Sequence, residues 1–130
     1  MKRIALFAFA LSLLLSPHMI HAQATGEKLL QECQLVIKYP DASKMTDDES
    51  GKAIHCLGYL RGAMDVYGEW DEFNTKRHGN NPSPVCLPIN VTTNEIVMVV
   101  VKYLNDYPNK LHEDRSLLVL FALSDAYPCK

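Results

Sequence analysis

Four cysteines downstream of an apolar leader constrain this chain most. Lys2 and Arg3 form a basic start, Ile4 to Leu15 is apolar apart from Ser12, and Pro17 closes the run. Ala22-Gln23-Ala24 fits a small-x-small cleavage site, so residues 1–24 read as a signal peptide, with Ala22 as the alternative cut. The apolar run is shorter than the roughly 20 residues that span a bilayer, which favours removal over anchoring. Cys33, Cys56, Cys86 and Cys129 then all fall in one exported domain, residues 25–130. An even cysteine count in a short exported chain predicts a disulfide framework. The expected location is the periplasm, with no membrane association after cleavage.

Losing Lys2 and Arg3 makes a net charge of −2 more negative. That balance argues against nucleic acid, which calls for a basic stripe.

Four segments carry helical spacing. Leu29, Leu30, Cys33, Val36 and Ile37 share one face, and Tyr39-Pro40 ends that helix. Thr46 to Glu49 is a capping box opening a second helix, in which Ala53, Cys56, Leu57, Leu60, Met64 and Tyr67 keep the spacing up to Gly68. A third helix starts at Thr92, with Glu95 closing its capping box, and stops before Pro108. The β-branched run Ile96 to Val101 makes a strand its rival, but the cap and the spacing of Ile96, Val100, Tyr103 and Tyr107 favour helix. A fourth spans about Leu111 to Ala126. The expected fold is all-α, a bundle of about four helices stapled by two disulfides. An antiparallel first pair brings Cys33 to Cys56. An antiparallel second pair brings Cys86 to Cys129. Both late helices are apolar on more than one face, so part of that surface could meet a second subunit.

Catalysis, cofactors and metals find little footing. His55 and Cys56 are adjacent on a helix and point about 100° apart. His112-Glu113 lacks the second histidine of a zinc-protease motif, since Ser116 stands in its place. No CxxC or paired-histidine spacing is present. Asp47, Asp48 and Glu49 suit a helix N-terminus. The chain is read as a non-enzyme that carries no cofactor and no metal. Gly58 and Gly62, four apart, predict close packing of another helix, or else a docking groove flanked by Tyr59 and Arg61. The connection from Glu69 to Pro88 holds Trp70, Phe73, Lys76, Arg77 and His78, aromatic and basic anchors of a kind favoured at interfaces.

Cys56-Leu57-Gly58-Tyr59-Leu60-Arg61-Gly62, Cys86-Leu87-Pro88 with Val91-Thr92, Val100 to Leu104 with Pro108, and Ala122-Leu123 with Ala126-Tyr127-Pro128-Cys129 follow in order along the chain. In that order and spacing the sequence resembles the Tai/Rap-type immunity proteins, which protect bacteria against amidase effectors of type VI secretion. The resemblance implies a small helical periplasmic domain, often a homodimer, that inhibits by binding. Its partner would be a cognate peptidoglycan amidase, blocked by a loop entering the substrate cleft. Glu69 to Val85 holds the plug's position, which makes Trp70, Phe73, Lys76, Arg77 and His78 the toxin-binding candidates. The rival expectation is a periplasmic chaperone or small-ligand carrier.

Overall fold

The computed structural model describes residues 24–70 and 83–129. Among these residues four helices follow in order: α1 Gly26–Lys38, α2 Asp47–Gly68, α3 Thr93–Asp106 and α4 Arg115–Ala126. Short 3-10 turns, Ala42–Lys44 and Pro108–Lys110, lie between α1 and α2 and between α3 and α4. Thr25 and Asp114 form an isolated bridge, and the described residues contain no strand. The all-α expectation holds.

Local chemistry sets the helix ends. Thr46 Oγ1 accepts from Glu49 N while the Glu49 carboxylate accepts from Thr46 N at 3.0 Å, the reciprocal capping box read from the sequence. The Tyr39 hydroxyl donates to the same carboxylate at 3.0 Å, tying the end of α1 to the start of α2. The Thr46 backbone N–H and then the Tyr39 hydroxyl hold Glu49 below its ordinary pKa. Thr92 and Glu95 repeat the box on α3, and the Thr92 backbone N–H lowers Glu95 in the same way. The cap, with burial of Ile96, Val97, Val100 and Val101, overrides the strand propensity of that run.

The fourth helix begins later than its hydrophobic pattern suggests. Residues 111–114 precede it, and Asp114 is the N-cap, accepting from Ser116 N. The carbonyls of Leu111 and Glu113 accept from Glu27 N and Gly26 N. Those acceptors serve the start of α1, whose first N–H groups have no partner within their own helix.

α3 packs against α1, α2 and α4, and the α1–α2 pair forms the other extensive contact. Leu29, Leu60, Ile96, Leu104, Leu118 and Leu123 fill the centre and are fully buried. Cys33–Cys56 crosses the core between α1 and α2 with Cα atoms 5.2 Å apart. Cys86–Cys129 joins the approach to α3 with the end of α4 at 5.0 Å. The pairing deduced from helix order is the one present, and no cysteine is free.

The glycines divide sharply. A Cβ on Gly26 would lie 2.2 Å from Leu118 Cδ1 and 3.2 Å from the Leu111 carbonyl oxygen. Gly58 and Gly62 would meet nothing within 4 Å. The close helix packing expected at the second pair is therefore absent, because that face of α2 points outward. Gly26→Ala is expected to destabilise by about 1–3 kcal/mol, since the added methyl would press on fully buried Leu118 and on the Leu111 carbonyl, which is bonded to Glu27 N. Gly58→Ala and Gly62→Ala are each expected to stabilise by about 0.5–1 kcal/mol through helix propensity. Urea denaturation of the three variants checks the opposite signs.

Candidate binding surface

Of the five predicted contact residues, Trp70 is described, while Phe73, Lys76, Arg77 and His78 lie outside the described residues. Trp70 is half-buried just past the end of α2, and its indole N–H is buried with no acceptor among the described residues. On the far side the described residues resume at Ser83, which is buried. The Ser83 hydroxyl donates to the Val85 carbonyl at 2.7 Å and accepts from Val85 N at 3.2 Å. Val85 is a core residue, and Cys86 N donates to the Tyr127 carbonyl at 2.9 Å beside the Cys86–Cys129 bond. Burial, a side-chain turn and a disulfide thus fix the descending end of this connection within four residues.

The exposed glycines floor a shallow groove of about 440 Å³. Tyr59, Ala63, Val66, Tyr67, Ser116 and Val119 line it. Tyr59 matches the expected flank, but Arg61 does not: its guanidinium pairs with Asp65 at 3.2 Å on the solvent face. The cation at this groove is Arg115, stacked 4.1 Å from the centre of the Tyr59 ring. Burial raises the Tyr59 phenol, and the Arg115 charge partly offsets the rise. No sequence pattern flagged Arg115, since the pair depends on how α4 lies over α2.

A wider apolar hollow of about 500 Å³ opens where α1, α2 and α3 meet. Ile37, Ile54 and Met98 project into solvent around it, over a floor that includes Ala53, Leu57 and Val97. The outward apolar residues expected on the late helices are Met98 on α3 and Leu117 and Phe121 on α4.

The histidines divide by position. His55 Nδ1 lies 2.6 Å from Glu32 Oε2, and Glu32 is 5 % exposed. A carboxylate can only accept, so the ring nitrogen donates. The two residues flank Cys56 and Cys33, so the disulfide brings a buried carboxylate to its partner. His55 is itself exposed, and sequence reading, which weighed it only against Cys56, missed the pair because it needs the register between α1 and α2. His112 sits in the turn before α4. Among the described residues, no cluster of three or more His, Cys, Asp or Glu could hold a metal ion. No described helix is long and apolar enough to cross a membrane.

These features define a small disulfide-stapled helical protein whose distinctive surfaces are grooves and a stapled connection. The profile of the Rap1a immunity proteins matches residues 25–129, nearly the whole length of the chain. The chain belongs to that family, and it is an immunity protein for a secreted effector. No curated protein and no solved structure matches it.

Proposed function

We propose that this protein acts in the periplasm, where it binds a peptidoglycan amidase effector and occludes the substrate cleft with the segment that follows α2. Trp70, Phe73, Lys76, Arg77 and His78 supply the contacts. The protein works by occupancy and turns over nothing. The observation that carries this reading is the fixed base of the segment, from buried Ser83 through Val85 to the Cys86–Cys129 bond. An inserted element held at its base loses less conformational freedom on docking, which preserves affinity.

The test is a calorimetric titration of oxidised mature protein against any secreted amidase found to be encoded beside it, with peptide-bond hydrolysis followed in parallel. Nanomolar binding with loss of hydrolysis is the expected result. A folded, active amidase that neither binds nor slows overturns the reading. Sedimentation of the free inhibitor and of the complex determines whether a homodimer presents one plug or two.

The hollow among α1, α2 and α3 favours a second reading, a carrier of small apolar ligands, because its volume lies within the usual range for such sites. Saturable binding of an apolar dye, lost in Met98→Glu and indifferent to the amidase, would support it.

A further inference from the structure

Main-chain hydrogen bonds tie the start of α1 to the turn before α4. Arg115 N donates to the Ala24 carbonyl at 2.8 Å, Gly26 N to the Glu113 carbonyl at 3.0 Å and Glu27 N to the Leu111 carbonyl at 2.9 Å. Between them Thr25, extended at φ −82° and ψ 162°, pairs with Asp114 in an antiparallel bridge. Gly26, the next residue, is buried. The peptide bond from Ala24 to Thr25 therefore lies inside closed structure. It is also the bond that the sequence marks for cutting, since Ala22 and Ala24 hold the small-x-small positions before it.

A protease needs the same groups. It takes its substrate as an extended strand, through main-chain hydrogen bonds. It stabilises the attacked carbonyl through donors aimed at its oxygen. In this fold Arg115 N already holds the Ala24 oxygen, and the extended residue beside it is already paired. Leader removal and folding thus draw on one carbonyl and one strand edge.

We infer that folding closes the Ala24–Thr25 bond to processing, so that the leader is removed before Thr25 pairs with Asp114. The inference rests on the proposed periplasmic reading, in which residues 1–24 are a leader, and adds an order of events to it. The reaction is hydrolysis: water adds across the amide, Ala24 leaves with a carboxylate, and Thr25 N becomes the terminal ammonium. The cut spares the bonds of Gly26 and Glu27, so the processed chain closes the start of α1 in the same way.

The experiment incubates the full-length precursor with a purified signal peptidase in detergent and follows the products by mass. Two forms are compared, the oxidised folded precursor and the reduced, alkylated chain. The alkylated chain is expected to yield an N-terminus at Thr25. Three backbone hydrogen bonds must open in the folded form, so its cleavage is expected to be about 100-fold slower or more. Arg115→Pro isolates one of them. Proline suits the first position of a helix and removes the N–H that holds Ala24, and Asp114, at φ −62° and ψ 131°, has the extended conformation that precedes a proline. Arg115→Ala keeps that N–H and is the control, with melting followed for both. Folded Arg115→Pro precursor is expected to be cut about tenfold faster than folded Arg115→Ala. Equal rates for folded and alkylated wild type, equal rates for the two folded variants, or an N-terminus at Gln23 overturn this inference and leave the leader reading standing. An alkylated chain that is not cut at all overturns both.

Discussion

Replacing all four cysteines with alanine is expected to leave a chain that does not fold at about 37 °C, and reducing the native protein is expected to do nearly the same. The chain-entropy relation assigns about 3 kcal/mol to the 23-residue span of Cys33–Cys56 and about 4 kcal/mol to the 43-residue span of Cys86–Cys129. Together they match a large share of the roughly 5–15 kcal/mol by which a domain of this size is stable. The two should differ in the opposite order from their loop lengths. Cys33 and Cys56 are fully buried, so Cys33→Ala with Cys56→Ala also strips sulfur from the core and leaves the Glu32–His55 pair less well held. That pair of substitutions should cost about 4–6 kcal/mol. Cys86 lies on the surface, and its loss with Cys129 should cost about 4 kcal/mol or less. Melting followed by circular dichroism, with and without reductant, measures both. A reduced protein that melts where the oxidised one does would sink the assignment of the disulfides as principal stabilisers.

Phe73→Ala combined with Arg77→Ala is expected to abolish inhibition of the amidase while leaving the melting temperature unchanged. Aromatic and arginine anchors at the centre of an interface are each worth about 2–4 kcal/mol, so losing two weakens binding by about 1000-fold or more. Inhibition constants against the cognate amidase provide the measurement. Full inhibition by the double variant would rule out the plug. A variant that melts early would instead assign Phe73 to the core.

Much of the fold was legible because its controlling interactions are local. Two capping boxes, the prolines and the 3.6-residue spacing mark α1, α2 and α3 from neighbouring residues alone. Helix order then selected one cysteine pairing from three. The start of α4 was not legible, because the carbonyls of Leu111 and Glu113 serve the N-terminus of α1, more than eighty residues away in sequence. Gly58 and Gly62 were left between two readings for the same reason: spacing shows that two glycines share a face, but not whether that face packs on a neighbour or, as here, floors a groove. The candidate site was the least legible. Arg115 over Tyr59 and Glu32 with His55 both arise from how separate segments lie together. The family match covers the whole binding region without distinguishing its residues.

The two cross-links divide the molecule in a way that bears on how such proteins diversify. One lies wholly within residues 24–70 and the other wholly within residues 83–129, so no disulfide joins the halves. The only covalent link between the halves is the main chain, while the packing of α3 on α1 and α2 and the hydrogen bonds from residues 111–115 to the start of α1 hold them together noncovalently. Lengthening a connection of this kind costs little, about 0.6 kcal/mol per doubling. Substitution, insertion or recombination there leaves each half with its own covalent closure. Under the proposed reading, lineages could then rewrite the segment assigned to the effector without having to evolve a new framework to carry it.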